Sequence, residues 1–285
     1  MIISDIDGTI LPPGCTPDSP EVRDGVQELR DLIAQEKLQF TLASGRPFAM
    51  VHPLWNALGL SLPVICCNGA AAGLPEQGAS AEALLWDERL SPLLIRPAVE
   101  LADSLGMAII VTDGKEESVY RENIYTKKHA EAEQKWETVY RPETEAQWRD
   151  YRLQKLLIID PLSPGKVDEV IKKLQETGQR LSRSGTEEKH RLCEIVRYDD
   201  RGVEIMPANC TKEIGVRRLC GMLGMKLSDV LVCGDNRNDI GMFHEAGMSA
   251  AVGNAAESVK QAASYICQKK AVFGVLEAAE HFCKS

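Results

Sequence analysis

The sequence predicts an α/β protein, a doubly wound parallel-sheet (Rossmann-like) core with an inserted α+β domain. Short apolar runs alternate with helical apolar spacing over residues 1–68, and the same alternation returns after residue 211. Two blocks of this kind indicate a parallel sheet with crossover helices. The sequence between them has a different order of elements. We therefore place the core at residues 1–81 and 206–285 and the insert at residues 82–205.

The core segments follow the periods of buried strands and amphipathic helices. Apolar residues recur at helical spacing from Val22 to Ile33, which predicts the first helix. The predicted strands are MIIS, LQFTLAS, PVICCN, VLVCGD and SAAVGN. The other predicted helices are PFAMVHPLWNALG, KEIGVRRLCGML and NDIGMFHEAG, the last of which ends at Gly247.

The insert follows a connection rich in Gly, Pro and Ser, GAAAGLPEQGAS. Its predicted elements are helix PLLIRPAVELADSLG, strands MAIIVTD and SVYRENI, a charged helical region, strand LQKLLIID, helix PGKVDEVIKKLQET, and strands near RLCEIVRY and VEIMP. Pro97 leaves the start of the first of these helices open, because proline disrupts a helix interior. A flexible connection followed by a self-contained set of elements indicates a separate domain.

The composition limits the classes of partner. The chain has 33 basic and 42 acidic residues, a net charge of −9, and its basic residues form no cluster larger than a pair. We expect no nucleic-acid partner, because binding of nucleic acid needs clustered cations. No run approaches the roughly 20 apolar residues of a membrane span. Asp5 stands where a signal peptide would be basic and then apolar, so we expect no membrane association and a cytoplasmic location.

The nine cysteines show no C-x-x-C spacing, and most lie in apolar runs. Zinc sites and disulfide frameworks depend on regular cysteine spacing. Cysteine in an apolar run behaves as a small buried hydrophobic residue. We therefore expect buried, reduced thiols.

Polar residues follow three of the predicted core strands. Asp5 and Asp7 follow MIIS, Ser44 follows the second strand, and Asp235 follows VLVCG. Open parallel sheets carry their sites at the carboxyl ends of the strands, so we expect these residues at one rim. A strand-ending turn would explain Asp7 followed by glycine, but it does not explain Asp5.

Further charged residues join this rim. Lys212 lies in the first turn of a predicted helix, and Asp235, Asn238 and Asp239 share one loop and the following turn. Two unit charges about 4 Å apart repel by roughly 4 kcal/mol at an effective dielectric near 20, so converging carboxylates imply a divalent cation. Oxygen ligands with room for water and a phosphate suit Mg²⁺ better than Zn²⁺. A lysine, a hydroxyl and backbone N–H groups around carboxylates indicate a phosphoryl substrate.

Four motifs in this order resemble those of the haloacid dehalogenase-like (HAD) superfamily: DIDGT, Ser44 in LASGRP, Lys212 in NCTKEIG, and GDNRND. The layout is similar to the Cof-type branch, in which a large α+β (type 2B) cap lies between the second and third motifs. CNGA, VEIMP and AVGNA are also similar to Cof-type segments. The resemblance covers the core and implies that the insert is a cap that governs substrate specificity.

The resemblance implies distinct roles for the two acids of DIDGT. Asp5 would be the nucleophile that attacks phosphorus and forms an aspartyl-phosphate. Asp7 would protonate the leaving group and then deprotonate the attacking water. This division would explain why two acids stand two residues apart.

The resemblance also implies a phosphate site and a metal site. The phosphate-binding residues would be Ser44, the Gly45 N–H, Lys212 and Asn238. The Mg²⁺ ligands would be Asp5, the Asp7 carbonyl, Asp235 and Asp239, with Asp239 binding the ion directly or through a neighbouring group. Arg46 could orient its loop or pair with a core acid.

One stretch of the insert, RLSRSGTEEKHR, gathers basic residues near turn residues. Those that could contact the far end of the substrate are Arg183, Lys189, His190 and Arg191. The alternative is a solvated charged loop without a binding role.

The motifs thus predict a Mg²⁺-dependent phosphatase of small phosphorylated metabolites, such as sugar phosphates, whose cap closes over the leaving group. One alternative is a phosphomutase or phosphotransferase that uses the same intermediate. Another is a phospho-aspartate signalling module like a response-regulator receiver, although receivers lack an acid two residues after the phosphorylated one and carry no large insert. The individual substrate and the oligomeric state stay open at this point.

Overall fold

The computed structural model describes residues 1–75, 84–113, 117–123, 126–127, 137–138, 144, 147, 152–160, 164–184, 193–198 and 202–283. The chain forms two compact units. The core unit comprises Met1–Trp86 and Thr211–Ser285, and the inserted unit comprises Asp87–Cys210. Each boundary lies about five residues further along the chain than the one we placed from the sequence.

The described elements alternate in the core unit and have a mixed order in the inserted unit. The strands are β1 (Ile2–Ser4), β2 (Phe40–Leu42), β3 (Val64–Cys66), β4 (Ala71–Gly73), β5 (Leu84–Asp87), β6 (Ala108–Thr112), β7 (Glu117–Arg121), β8 (Glu137–Thr138), β9 (Lys155–Ile159), β10 (Cys193–Tyr198), β11 (Gly202–Pro207), β12 (Leu231–Gly234), β13 (Met248–Ala251) and β14 (Tyr265–Ile266). The helices are α1 (Arg23–Gln35), α2 (Phe48–Ala57), α3 (Pro92–Leu105), α4 (Pro164–Ser184), α5 (Lys212–Met222), α6 (Ile240–Glu245), α7 (Glu257–Ala262) and α8 (Ala271–Cys283). Short 3₁₀ turns lie at Cys67–Gly69, Leu227–Asp229 and Arg237–Asp239.

The main sheet of the core unit is parallel and has the order β14-β13-β12-β1-β2. Strand β1, which has a neighbour on each side, is buried throughout, as expected for a parallel sheet with both faces covered. Ser4 pairs with Leu42 on one side and with Cys233 on the other, so three strands end at the same level. The chain leaves β1 toward β2 and returns on the opposite side through β12. This reversal confirms the predicted doubly wound class and creates a switch point, where such sheets carry their sites.

The inserted unit contains a six-stranded sheet of order β10-β11-β9-β6-β7-β8, in which all pairs except β7 with β8 are antiparallel. Helices α3 and α4 contact each other and the sheet. Their buried face forms an apolar core with alternate residues of the strands, among them Ile109, Val111 and Ile158. This arrangement is the α+β organisation expected for the insert.

Helix α3 begins at Pro92 and continues through Pro97, which settles the position that the sequence had left open. A proline at position 97 removes the hydrogen bond to the carbonyl of Leu93, a residue that is 67% exposed. Water can satisfy that carbonyl, while burial of Ile95 and Val99 stabilises the helix. Tertiary packing therefore outweighs the local disruption.

Other predicted boundaries differ from the observed ones. Helix α4 runs to Ser184, beyond the predicted end at Thr177. The helix predicted to end at Gly247 is a 3₁₀ turn followed by α6, which ends at Glu245. The last three elements, α7, β14 and α8, had no sequence-based prediction.

The expectations about cysteines and membrane spans can be compared with the structure over the described residues only. Eight cysteines have described side chains; none of them forms a disulfide, and seven are buried. Within the same part of the chain, no helix combines the length and hydropathy needed to cross a bilayer.

Gly25 of α1 offers a test of how that helix packs against α8, and Gly221 of α5 is its matched control. A Cβ at Gly25 would lie 2.5 Å from Val272 Cγ1, whereas a Cβ at Gly221 would meet nothing within 4 Å. We expect Gly25→Ala to lower the free energy of unfolding by about 1–3 kcal/mol through overpacking. Gly221→Ala should raise it by up to about 1 kcal/mol through helix propensity. Urea unfolding followed by circular dichroism measures both, and equal effects would contradict the observed packing.

Candidate active site

The two acids nearest the switch point follow neighbouring strands. Asp5 follows β1, and its backbone N–H donates to the carbonyl of Cys233 in β12 at 2.9 Å. Asp235 follows β12 directly. Because β1 and β12 are parallel and in register, the two side chains reach the same edge of the sheet. The expected convergence of these acids is therefore present.

A buried lysine joins Asp5 to a third acid. The Nζ atom of Lys212 lies 2.5 Å from Asp5 Oδ1 and 2.7 Å from Asp239 Oδ1. The exposed fractions of the three side chains are 1% for Lys212, 6% for Asp5 and 0% for Asp239. Lys212 is the first residue of α5, and Asp239 ends the 3₁₀ turn before α6. The start of one helix and the turn before another thus bring opposite charges together at Asp5.

The second oxygen of Asp239 organises the loop that carries Asp235. Asp239 Oδ2 accepts the backbone N–H groups of Asp235 and Asn236, each at 3.0 Å. The Asn236 side chain in turn accepts from the backbone N–H of Arg237 at 2.7 Å. The Asn236 side chain also accepts from the backbone N–H of Asp239, and this bond together with the one from the Asn236 N–H to Asp239 forms a capping box, which satisfies backbone donors that a turn would otherwise leave unpaired. Asp239 therefore positions both Lys212 and the Asp235 loop.

Thr9 lies between the acids of the two strands. Its hydroxyl oxygen is 3.1 Å from Asp5 Oδ2 and 2.8 Å from Asp235 Oδ1. One hydroxyl carries a single hydrogen, so it can donate to only one of these oxygens at a time. The other carboxylate oxygen then receives no hydrogen bond from Thr9.

The turn between Asp7 and Thr9 requires glycine. Gly8 has φ +82°, and a Cβ on it would lie 2.1 Å from Asp235 Oδ2. Its carbonyl accepts from Asn254 Nδ2 at 2.7 Å, and its N–H donates to the carbonyl of Leu11 at 2.7 Å. A side chain at this position would both strain the backbone and displace Asp235.

Burial shifts the protonation of this group of residues. Desolvation raises the pKa of Asp5 well above its ordinary value, although the Lys212 ammonium opposes the shift. Desolvation likewise raises the pKa of Asp235 to about 6, against a hydrogen bond from Thr9. Burial acts to lower the pKa of Lys212, but Asp239 and Asp5 outweigh it, so that pKa is raised and the lysine stays charged. The one ammonium contacts two of the three acids, Asp5 and Asp239.

Asp5, Asp235 and Asp239, which we call the acidic cluster, could hold a metal ion. Each offers a carboxylate oxygen, and these oxygens lie within 4.8 Å of one another. Desolvated carboxylates in excess over cations are costly, and a divalent ion would offset that cost. The all-oxygen donor set suits a hard cation. The residues present therefore fit a divalent metal.

Ser44 and Gly45 follow β2 and meet a turn that the sequence analysis had given no role. Asn68 donates its N–H to the carbonyl of Ser44 at 3.0 Å, and a Cβ on Gly45 would lie 3.2 Å from Asn68 Oδ1. Asn238 Nδ2 donates to the same Asn68 oxygen at 3.3 Å. Four residues were predicted to bind phosphate, and Asn68 is a neighbour of three of them: Ser44, Gly45 and Asn238. The fourth is Lys212. The sequence did carry a signal for Asn68, because an Asn-Gly pair after a buried strand is typical of a turn with positive φ. The observed φ of Asn68 is 52°.

The Asp7 side chain pairs with Arg46. Arg46 Nε donates to Asp7 Oδ2 at 2.8 Å, and Arg46 Nη2 donates to Asp7 Oδ1. The Asp7 side chain is 53% exposed. Arg46 Nη1 also donates to the carbonyl of Met50 at 3.4 Å, so Arg46 contacts both a core acid and its own segment of the chain.

The basic residues predicted for the inserted unit contribute no described side chain. Arg183 falls in the last turn of α4, where only the backbone is described. Lys189, His190 and Arg191 lie outside the described residues. Their proposed contact with substrate stays a prediction.

Comparison with known proteins identifies the family. A family model described as haloacid dehalogenase-like hydrolase matches residues 2–278. The chain belongs to this family of hydrolases. The resemblance found in the four motifs is thereby confirmed at the level of the family.

Individual relatives of this hydrolase match it over part of their length. A 78-residue segment is 37% identical to a phosphoglycolate phosphatase of Methanosarcina mazei and covers 27% of this chain and 34% of that protein. A 94-residue segment is 32% identical to the 5-amino-6-(5-phospho-D-ribitylamino)uracil phosphatase of Bacillus subtilis and covers 33% and 38%. The matched segments thus span about a third of each relative.

A solved structure covers nearly the whole hydrolase. It is a sugar phosphatase of HAD subclass IIB, with a TM-score of 0.76 over 99% of this chain and 98% of the other. The two sequences are 21% identical, so this likeness establishes the shared fold.

The Lys212 contacts predict a large effect on stability. Lys212→Met would leave Asp5 and Asp239 buried without their cation, and we expect it to lower the free energy of unfolding by about 3–5 kcal/mol in metal-free buffer. The matched control is Arg217→Met on the same helix, which removes an exposed pair with Glu245. Exposed pairs contribute about 0–1 kcal/mol. Chemical denaturation compares the variants, and similar losses would contradict the role of the buried ammonium.

Proposed function

We propose that this hydrolase is a Mg²⁺-dependent phosphatase of small phosphorylated metabolites that works through an aspartyl-phosphate on Asp5. The observation that carries the proposal is the contact of Asp5 Oδ1 with Lys212 Nζ at 2.5 Å in a buried site. Lys212 holds Oδ1, and Oδ2, whose neighbour at 3.1 Å is the neutral Thr9 hydroxyl, can act as the nucleophile when that hydroxyl donates to Asp235. Family membership and relatives named as phosphatases support the same reaction.

The proposed reaction has two displacements. In the first, an Asp5 carboxylate oxygen attacks phosphorus, the ester P–O bond breaks, and the leaving oxygen takes a proton from Asp7. In the second, Asp7 accepts a proton from water as that water attacks phosphorus, the bond between phosphorus and Asp5 breaks, and inorganic phosphate leaves. Asp5 and Asp7 thereby return to their starting states. Dividing one difficult hydrolysis into two steps is the advantage of covalent catalysis.

Four groups are assigned to the phosphate. The Ser44 hydroxyl, the Gly45 N–H and the Asn238 amide would bind its oxygens, and their common neighbour Asn68 supports this assignment. Lys212 would balance the charge that develops on the transferring phosphoryl group. Preorganised donors of this kind act strongly where water is excluded.

Mg²⁺ is the metal that we assign to the acidic cluster. Asp5, Asp235 and the Asp7 carbonyl would hold the ion, and when bound it would neutralise charge on the cluster and on the phosphate. Each Asp239 oxygen already accepts a hydrogen bond, one from Lys212 and the other from two backbone N–H groups. We therefore assign Asp239 to holding these neighbours in place.

Substrate choice is assigned to the inserted unit, which lies outside the four motifs. The relatives include phosphatases named for phosphoglycolate and for a phosphoribitylamino compound, and a fold neighbour is named a sugar phosphatase. A small organic phosphate is their common feature. Transfer to an acceptor other than water is the competing outcome, and release of inorganic phosphate with water as the sole acceptor excludes it.

The nucleophile can be tested by one substitution. Asp5→Asn should lower phosphate release by roughly three orders of magnitude or more, since an amide oxygen cannot form the intermediate. Asp24→Asn, at an exposed acid of α1, should leave the rate unchanged. The measurement is phosphate release from a panel of sugar phosphates, nucleotides and small organic phosphates, with Mg²⁺ and with EDTA. Undiminished turnover by Asp5→Asn would refute the assignment.

Metal binding should depend on pH through Asp235. Its pKa is about 6 in the folded protein against 3.8 for an ordinary Asp, so the folded state binds the extra proton. In EDTA, this group therefore stabilises the fold below about pH 4, and the stabilisation is lost as the pH rises through about 6. Mg²⁺ competes with that proton, so the Tm increase on adding Mg²⁺ should be larger at pH 7.5 than at pH 5.

The control for this prediction is Asp235→Asn, which cannot titrate. It should lose most of the Mg²⁺-dependent increase in Tm at both pH values. An equal Mg²⁺ effect at pH 5 and pH 7.5 in the unsubstituted protein would contradict the proposed metal site.

A further inference from the structure

Arg46 grips Asp7 with a two-point contact. Its Nε and Nη2 atoms donate to the two different carboxylate oxygens of Asp7. This fork geometry fixes the direction of a carboxylate as well as its position, which a lysine cannot do. The orientation of the Asp7 carboxylate is thus defined by one side chain from a neighbouring strand end.

The backbone of Arg46 is itself held at both polar groups. Its N–H donates to Ser44 Oγ at 3.1 Å, and its carbonyl accepts from the Cys67 N–H at 3.1 Å. These two hydrogen bonds hold the Arg46 backbone, from which the guanidinium extends, in a fixed position two residues beyond Ser44. Arg46 links the loop assigned to phosphate with the carboxylate assigned to proton transfer.

The environment of Asp7 makes this grip consequential. The Asp5 and Asp239 side chains are buried and held by Lys212, whereas the Asp7 side chain is 53% exposed. A half-exposed carboxylate samples several rotamers unless a partner restricts it. Proton transfer needs the acid within hydrogen-bond reach of the leaving oxygen, and a misplacement of about 1 Å can cost about 100-fold in rate.

From these contacts we infer that Arg46 is a positioning residue that holds the Asp7 carboxylate in register with the phosphate bound at Ser44 and Gly45. The inference rests on the proposed phosphatase reaction and deepens it. While Asp7 carries its proton, one of its oxygens accepts from the guanidinium. When the other oxygen gives that proton to the leaving oxygen as the P–O bond breaks, the resulting carboxylate accepts both guanidinium N–H groups. Arg46 exchanges no proton itself, so its effect passes through Asp7.

The test compares esters that need proton transfer with esters that do not. An alkyl phosphate has a strongly basic leaving oxygen and depends on the acid, whereas p-nitrophenyl phosphate releases a stable phenolate without it. The value of kcat/KM reports steps up to departure of the leaving group and is independent of the later hydrolysis. We expect Arg46→Ala to lower the alkyl-to-aryl ratio of kcat/KM by about 10- to 100-fold.

Three further variants identify the route of the effect. Arg46→Lys should recover part of the ratio, because an ammonium makes a single contact in place of the fork. In an Asp7→Asn background, Arg46→Ala should change the ratio no further. Arg217→Ala removes a similar two-point contact with Glu245 on the exposed face of α5 and should leave the ratio unchanged.

Other outcomes overturn the inference in distinguishable ways. An equal loss for both esters that persists in the Asp7→Asn background would assign Arg46 to phosphate binding, and an equal loss with a lowered Tm would assign it to structure. An unchanged ratio in Arg46→Ala, with an active parent, would refute the positioning role alone. An inactive parent with Mg²⁺ and both esters would refute the proposed function and this inference together.

Discussion

The Lys212 ammonium between Asp5 and Asp239 is the interaction on which the rest of the site depends. Two carboxylates at this spacing repel each other by several kcal/mol in a protein interior of effective dielectric near 20, roughly 4 kcal/mol at about 4 Å. Lys212 stands at the first position of α5, where the helix dipole disfavours a cation. The two acids offset that local cost. Each charge is therefore tolerated only because the other two are present.

Close approach of the surrounding backbone follows from this arrangement. A Cβ on Gly234 would lie 2.5 Å from the Cβ of Asp239, and one on Gly8 would overlap Asp235. Gly69 has φ +99°, and a Cβ there would lie 2.3 Å from the carbonyl of Thr211, the residue before Lys212. The glycines next to the motif residues thus permit the loops to pack tightly enough for the charges to meet.

Much of the core unit was predictable because its signals are local. Buried three- and four-residue strands appear as continuous apolar runs, and the residue that follows each run marks the rim of the sheet. Helix α8 also has a local signal, the helical spacing of Val272, Val275 and Leu276, all of which are buried. No element was predicted there. The continuation of α3 through Pro97 was not local information, since it depends on packing against the sheet of the inserted unit. Contacts of Asn68 and Arg46 were likewise hidden, because they join loops from strands whose register the sequence does not specify.

The different surroundings of Asp5 and Asp7 follow from their spacing. Residues two apart on an extended chain share a face, but the chain turns after Ile6, with the N–H groups of Thr9, Ile10 and Leu11 donating to its carbonyl. That turn leaves Asp5 in the buried cluster and carries Asp7 toward Arg46 and solvent. A nucleophile benefits from desolvation and fixed charge, whereas a group that must meet both a leaving oxygen and a water molecule needs an accessible position. One tight turn thus gives two identical side chains the separate environments that the proposed two-step hydrolysis would require.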